Sequence, residues 1–576
     1  MADHAPHENS ALPGLSPLLA QAKTRMVMVA AVFVLGYLAI TLRLVDLTLL
    51  RARPAPEVAH AEDVKPLARP LRGAILDRNG ELMATSLSMP SLYADATVTD
   101  NAAAEAKELA AILTDQDAAD IQKKLTSGKH FIWIARDITP KQEYAINALG
   151  HPDLGFQDEE RRIYPNAELA AHVTGYTDVD GNGIAGVEKS FNKELARGDK
   201  PVQLTIDVRV QHLLHRELSA SVQKFHAKAG VGMVMDVNTG EIIAMVSLPD
   251  FDPHHPGDAS DDARFNRASL GVFEMGSTFK LFSTAAALDS GLVHFGSMFD
   301  ATDPIHYGRF TINDYHAKHR PLSVPEIFMY SSNIGTARMA QSLGDNGLKD
   351  FYRRMGFFEP APIELPERGN PLYPKPWRDI NTLTASFGHG VAVSPVHLMR
   401  AASALVNGGI MVTPTIVKSD KNRLSLEAQG PRVIKPQTSQ KIRQLLELVV
   451  ADGTGSQAYV EGYNVGGKTG TAEKNKDGRY EENLLLSSFI GVYPIDNPRY
   501  AVLAMLDEPE GIPESHGFAT GGWTAAPVVA AVVGQMGPMY RIAPDLDTNR
   551  DITRDMAIYL KDVKEGKTLA SVGADR

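Results

Sequence analysis

The chain has 576 residues, 44% of them hydrophobic and 22% charged, with a net charge of −11. That is the make-up of a globular protein of more than one domain, and its negative balance gives no reason to expect a nucleic-acid partner. Having no cysteine, it forms no disulfide, builds no iron–sulfur cluster and uses no thiol in catalysis.

Residues 1–25 are polar, rich in Ala and Pro, and read as a disordered tail. Met26 to Leu42 is uncharged throughout, slightly short of the ~20 residues that span a bilayer. Arg43 can snorkel and lengthen it. No small-residue cleavage site follows Leu50, so the expectation is an uncleaved anchor over 26–47 rather than a signal peptide. Lys23 and Arg25 before it are matched by Arg51 and Arg53 after it, so charge alone does not orient it.

Pro54, Pro56, Pro66 and Pro70 mark an extended linker. Arg72-Gly73-Ala74-Ile75-Leu76-Asp77-Arg78-Asn79-Gly80-Glu81-Leu82 reads as strand, Asn-Gly turn, strand. Ala102 to Leu125 carries helical spacing. No constellation of catalytic groups falls between 54 and 225. Asp178-Val179-Asp180-Gly181-Asn182-Gly183 has the first half of a calcium-binding loop. Its twelfth position is Lys189 instead of a bidentate Glu, and Gly186-Val187 does not announce a helix, so a plain turn is expected.

From Gly230 the pattern changes. Val231 to Val237 is an apolar strand, Asn238-Thr239-Gly240 a turn, and Glu241 to Val246 a return strand. Phe273-Glu274-Met275-Gly276-Ser277-Thr278-Phe279-Lys280 then leads into Leu281 to Leu288, which favours helix, with Gly291 as a stop. A helix opening near Ser277 would put Ser277 and Lys280 on one face. A serine hydroxyl is a poor nucleophile until a base takes its proton, and a lysine depressed by burial and neighbouring cations can do that. Alone, Ser-x-x-Lys means little. Tyr330-Ser331-Ser332-Asn333 adds Ser-x-Asn, although either serine could merely cap a helix continuing from Asn333.

Other features are weaker. His316 and His319 could share a metal, but no third ligand is evident, and His254-His255 sits in an Asp/Pro-rich loop. Gly462 to Thr469 fits the Walker A pattern, with Ala501 to Glu508 resembling a Walker B strand. A phosphate loop must open a helix. Here Gly470 follows Thr469 and an Asp477-Gly478 turn comes soon after, which is hairpin chemistry. The same residues supply Gly467-Lys468-Thr469-Gly470-Thr471. Leu484–Tyr493 and Tyr500–Leu506 pair as strands, Ala525–Met536 closes as a helix, and residues 545–576 read as a flexible tail. Strands at both ends with helical sequence between them predict an α+β domain with one antiparallel sheet and helices on its faces.

Ser-x-x-Lys, Ser-x-Asn and Lys-Thr-Gly-Thr in this order resemble the penicillin-binding proteins. The likeness runs from Met26 to about Met539. It includes Arg-Gly-x-Ile-x-Asp-Arg-Asn-Gly at 72–80, Gly183 to Phe191, and the glycine-rich turn Phe387-Gly388-His389-Gly390. One anchor, one pedestal and one acyltransferase domain make it a class B member. Ser-Ser-Asn, Phe-Glu-x-Gly-Ser and Gly-Val-Glu-Lys-Ser-Phe are most like the division-specific (septal) transpeptidases, the penicillin-binding protein 3 branch. Met275 stands where Pro is usual and Phe279 where Val is frequent, so both neighbours of the nucleophile are bulkier.

The resemblance implies a cytoplasmic tail (1–25), a membrane anchor (26–47), a non-catalytic pedestal of the dimerisation type (54–225) and a transpeptidase domain (226–544). It places the N-terminus in the cytoplasm and the rest in the periplasm at the division septum of the inner membrane. It implies D,D-transpeptidation of peptidoglycan stem peptides ending in D-Ala-D-Ala, β-lactams as covalent inhibitors, and neither cofactor nor metal. Ser277 would attack, Lys280 take its proton, Ser331 relay a proton to the leaving amine, and Asn333 bind substrate peptide groups and orient Lys280. Lys468 would meet a substrate carboxylate, Thr469, Gly470 and Thr471 would line the substrate strand, and the Ser277 and Thr471 backbone N–H groups would form the oxyanion hole. Implied partners are the septal glycosyltransferase and other division-complex membrane proteins. Alternatives are a membrane-anchored serine β-lactamase or D,D-carboxypeptidase, and a non-enzymatic scaffold or sensor. The nearest run to a deacylating Glu-x-x-Leu-Asn is Glu364-Leu365-Pro366-Glu367, which does not match.

Overall fold

The computed structural model describes residues 16–45, 71–308, 310–419, 424–476, 479–545 and 551–561; the Pro-rich linker lies outside them. The chain divides into two units, Met1–Arg69 and Pro70–Arg576. The first holds helix α1 (Ser16–Val45). Its stretch Lys23–Val45 runs 23 residues at a mean hydropathy of 2.2 and is not buried by protein. At ~1.5 Å per residue that is about 35 Å, against a hydrocarbon core of about 30 Å. The helix begins ten residues before Met26, which corrects the expected disorder through residue 25. Leu18-Leu19-Ala20-Gln21-Ala22-Lys23 is composed of good helix formers.

The second unit opens with β1 (Ile75–Leu76) and β2 (Leu82–Ala94) around the expected turn. Asp77 Oδ1 accepts the Asn79 N–H at 2.6 Å and the Glu81 N–H at 2.9 Å, while Gly80 takes φ +95°. β2 pairs antiparallel with β1, β3 (Ile132–Ala135) and β4 (Leu154–Ile163), and β5 (Val202–Gln203) runs parallel to β1. The helical stretch at 102–125 is two helices, α2 (Ala102–Ile112) and α3 (Ala118–Leu125). Asn101 and Asp117 each accept a backbone N–H as N-caps, so the chain starts a fresh helix at Ala118. With α4 (Pro140–Leu149) they enclose Leu92, Leu109, Ile121, Ile134 and Ile146.

Two of the quoted runs meet here. Glu188, fully buried, accepts from Arg72 Nε at 2.6 Å and from Arg162 Nε at 2.7 Å. Arg72 also donates to the Glu188 carbonyl at 2.8 Å and to Asn192 Oδ1 at 2.8 Å. The neighbouring acidic loop spends its first carboxylate on itself, since Asp178 Oδ1 accepts from the Asp180 and Asn182 N–H groups. It is a turn, as expected, although a short helix, α5 (Gly186–Ser190), does follow it. Removing one partner of a buried ion triad costs about 3–5 kcal/mol. Glu188→Ala is therefore expected to lower the stability of this part of the chain by that amount, read as faster amide exchange in β1, β2 and α5 than in the wild type.

Helix α6 (Val208–Lys224) leads into β6 (Ala229–Asp236) and β7 (Ile242–Leu248). The partner strands come late: β8 (Gly466–Lys476), β9 (Arg479–Tyr493) and β10 (Tyr500–Asp507). The sheet order is β8-β9-β10-β6-β7, antiparallel throughout. Ala501, Leu503 and Met505 join the core on one face while Val502, Ala504 and Leu506 join that on the other, the period-two alternation of a strand covered on both sides. One face carries α6 and α10 (Ala526–Met539); on the other α9 (Pro436–Asp452) packs against the sheet, and α7 (Lys280–Ser290) and α8 (Asn333–Gln341) belong to the same core. The α+β reading holds. The Walker-like run enters strand β8 at Gly466, with no helix to hold phosphate.

The tail departs from expectation. Among residues 545–576, α11 (Ile552–Met556) and the turn after it are packed, with Ile552, Met556 and Leu560 in the main core. The Lys561 N–H donates to Glu326 at 2.9 Å and Ser323 Oγ to the Tyr559 carbonyl at 2.7 Å. The four-residue spacing of those apolar side chains puts them on one face, so the segment docks.

Candidate active site

Ser277 lies in a 3₁₀ turn, Gly276–Phe279, and α7 begins at Lys280. In a 3₁₀ turn residues three apart eclipse one another, so Ser277 and Lys280 align more closely than in the expected α-helix. Gly276 enters the turn at φ +51°. The bulky neighbours do not shape the cleft. Met275 is buried, and Phe279 packs among Phe282, Tyr352 and Phe357 beneath the turn. Ser277 is half-buried, and its hydroxyl has no hydrogen-bond partner among the described residues.

The three motifs converge on Ser331. Its Oγ accepts from Lys280 Nζ at 3.1 Å and from Lys468 Nζ at 3.0 Å. Ser331 holds φ +58°, strained for a residue with a Cβ by about 1–3 kcal/mol, and this turn also presents its carbonyl to Lys280 Nζ. The helix cap is Ser332 alone, whose Oγ accepts the Gly335 N–H at 2.9 Å. Capping thus explains one serine of the pair, and the other faces the two lysines. Asn333 Nδ2 donates to the Asn313 carbonyl at 2.8 Å; its link to Lys280 runs through the shared turn rather than a direct bond.

Both lysines are buried, Lys280 1% and Lys468 0% exposed. Burial brings the Lys280 ammonium down to about 7, against the opposing pull of Asp314. Burial, and then the Lys280 charge, push Lys468 well below the usual range for a lysine. Lys468 also donates to the Thr469 carbonyl at 3.2 Å, and Thr469 Oγ1 shares a hydrogen with Thr454 Oγ1 at 2.7 Å.

β8 is the edge strand of the sheet, and the Ser277 turn packs against it. Gly470 is required by the packing: a Cβ there would meet Thr278 Cγ2 at 2.7 Å and the Met275 carbonyl at 3.0 Å. A Cβ on Gly276 would meet the Thr471 carbonyl at 2.5 Å, and one on Gly388 (φ +91°) would meet Gly276 N at 2.7 Å. Backbone therefore lies against backbone beneath Ser277.

Sequence reasoning missed four contributors. Asp314 accepts from Ser332 Oγ at 2.6 Å and the Ile334 N–H at 2.9 Å, setting the Ser-x-Asn turn. Tyr480 donates to Glu274 at 3.0 Å and stacks on His389 with ring centres 5.0 Å apart, while Glu274 accepts the Gly390 N–H at 2.9 Å. These ties seat the β8–β9 hairpin beside the Ser277 turn. Burial, and then Lys280, bring His389 down to about 4, so it is neutral near pH 7. Glu274 and His389 lay in quoted motifs; Asp314 and Tyr480 had no local signal. Among the described residues His316 and His319 form no metal cluster with a third ligand; His319 Nδ1 faces the Thr302 carbonyl at 3.2 Å.

Comparison with known proteins agrees with this architecture. The penicillin-binding protein transpeptidase domain profile matches residues 230–534, and the penicillin-binding protein dimerisation domain profile matches 67–217. The chain is 40% identical over 480 residues to the probable peptidoglycan D,D-transpeptidase FtsI of Caulobacter vibrioides, covering 81% of each. It is 32% identical to the peptidoglycan D,D-transpeptidase FtsI of Escherichia coli (83% of this chain, 85% of that one) and 32% identical to the stage V sporulation protein D of Bacillus subtilis (82% and 79%). Among solved structures it resembles penicillin-binding protein 3 of Mycobacterium tuberculosis complexed with ampicillin, with a TM-score of 0.66, 24% identity, and coverage of 84% of this chain and 98% of that one.

Proposed function

The chain belongs to the class B penicillin-binding proteins, and from that premise we propose how its residues carry out peptidoglycan D,D-transpeptidation and where in the cell they do so. The enzyme is a serine acyltransferase whose donor is a stem peptide and which β-lactams inhibit. One observation carries the assignment of roles: Ser331 Oγ lies between Lys280 Nζ at 3.1 Å and Lys468 Nζ at 3.0 Å. An oxygen that accepts from two amines keeps its own hydrogen free to donate.

Neutral Lys280 takes the Ser277 proton as Oγ adds to the carbonyl of the penultimate D-Ala. The oxyanion is held by the Ser277 and Thr471 backbone N–H groups. Ser331 passes a proton to the departing D-Ala nitrogen and is replenished from Lys280, so the C–N bond breaks as the ester forms. Lys468, with Thr469 and Thr471, binds the terminal carboxylate, Gly470 keeps the strand close to the nucleophile turn, and Asn333 holds the peptide from the opposite wall. An acceptor amine then attacks the ester, returning the proton to Ser277 and closing the cross-link. Glu364 and Glu367 are occupied elsewhere, accepting from the Ile416 N–H at 3.1 Å and the Gly186 N–H at 3.3 Å; neither supplies the base of a β-lactamase.

In this reading the helix within Ser16–Val45 anchors the chain, 54–225 is the pedestal, 226–544 the transpeptidase domain, and the segment after it closes the core. The N-terminus is cytoplasmic, the catalytic domain periplasmic, and the site of action the septum, with the septal glycosyltransferase and other division proteins meeting the anchor and pedestal. The 40% identity to a relative named FtsI and the Ser-Ser-Asn motif support the septal role. The test uses the full-length protein in detergent with lipid-linked glycan strands bearing pentapeptide stems. Cross-linked dimers with one D-Ala released per link are expected. D-Ala release without dimers would make it a carboxypeptidase, and rapid β-lactam turnover a β-lactamase.

A further inference from the structure

The pedestal holds a second chemical cluster, on its own lobe and unconnected with Ser277. Glu105 and Glu108 lie three apart on α2, and His151 and Asp153 follow α4, where Gly150 turns the chain at φ +74°. One ligand atom each from Glu105, His151 and Asp153 fall within 4.8 Å of one another. Glu105 is 3% and Asp153 5% exposed, and Glu105 Oε1 is buried without a hydrogen-bond partner. Buried carboxylates are ordinarily paired with a cation or ligate a metal; the charged neighbours acting on Glu105 are Asp153, His151 and Glu108, none of them lysine or arginine.

The orienting contacts of a metal site are also in place. His151 Nε2 sits 2.8 Å from Glu108 Oε2, which fixes the ring so that Nδ1 faces inward, 3.9 Å from Glu105 Oε2. This is the carboxylate–histidine arrangement that holds a ligating imidazole in one tautomer. The Thr99 hydroxyl donates to Asp153 Oδ2 at 2.5 Å, and the Asp153 carbonyl accepts the Asp95 N–H at 2.8 Å, so the second carboxylate is held as well. One imidazole nitrogen with two carboxylates suits a zinc-like divalent cation better than calcium, which takes six to eight oxygens.

We propose that Glu105, His151 Nδ1 and Asp153 bind a divalent transition-metal cation of the zinc type, with Glu108 and Thr99 orienting the ligands. A tetrahedral site with bonds of about 2.0–2.2 Å sets its ligands roughly 3.4 Å apart, so small side-chain rotations close the cluster. The cation clips α2 to the junction of α4 and β4, and so ties the two sides of the lobe.

The experiment is calorimetric titration of chelator-stripped full-length protein with ZnCl₂, paired with Co²⁺ absorption as a report of tetrahedral coordination. The wild type is expected to bind one equivalent and to show the visible cobalt bands. Glu105→Gln and Asp153→Asn, which keep shape, should lose both signals. Glu108→Gln should weaken binding by the roughly 10–100-fold typical of an outer-shell change. Penicillin acylation of Ser277 should be the same in all three variants, which separates failure of this site from failure of the catalytic one. No zinc binding by the wild type would overturn the proposal. So would binding that Glu105→Gln and Asp153→Asn leave unchanged, which would place the cation on other histidines.

Discussion

Ser277→Ala is expected to abolish the covalent penicillin adduct, with a loss of at least about 10⁴-fold in acylation rate. No second nucleophile stands in its place: Ser331 Oγ is engaged by two lysines, and Thr278 Oγ1 is buried and donates to the Met275 carbonyl at 2.8 Å. The variant should fold as the wild type does, because the Ser277 hydroxyl makes no hydrogen bond among the described residues and its removal leaves nothing unpaired. Intact mass after incubation with a labelled penicillin, beside a thermal melt of each protein, measures both. A long-lived adduct in the wild type alone establishes the acyl-serine. An adduct that survives in Ser277→Ala would move the nucleophile elsewhere, and no adduct in a folded wild type would leave a scaffold on a borrowed fold.

Lys280→Met should cost about 10²–10⁴-fold in acylation, the span of a lost general base, and should flatten its pH profile. Burial places Lys280 near 7. Below that pH the amine carries the proton it must accept, so the wild-type rate falls about tenfold per unit; above it the rate levels. Stability moves the same way. The folded state holds Lys280 near 7 against a usual 10.5, so between those values the unfolded chain binds more protons and stability rises with pH. Below 7 the full cost of the buried ammonium is present, and there Lys280→Met should melt above the wild type by its widest margin. Stopped-flow acylation and melts from pH 6 to 10 test both. A rate that falls as pH rises through 7 would remove Lys280 from the role of base.

The sheet was legible because β6, β7, β10 and the Leu484–Tyr493 part of β9 are mostly apolar and are joined or bounded by turn residues, signals that reside within ten residues. The three motifs were legible for the same reason. What they share was not, since the Ser331 turn is set by Asp314, which is distant from both lysines in sequence, and Tyr480 reaches Glu274 across 206 positions. Arg72 and Glu188 were each visible within quoted runs, but their pairing is long-range and left no periodicity. The docked tail was different: Ile552, Met556 and Leu560 are spaced for one face, and dense charge around them masked it. The 3₁₀ turn at Ser277 arises where Gly276 must fit against β8, a contact no local propensity encodes.

That fit limits how the enzyme can escape a drug. The floor of the cleft is main chain, Gly276 on the carbonyl of Thr471 and Gly388 on Gly276, with both glycines at positive φ. Neither glycine has a side chain to exchange, and adding one forces strain and overlap together. Changes in antibiotic reactivity are thus expected at positions other than these two glycines, where a substitution leaves the turn that carries Ser277 in place.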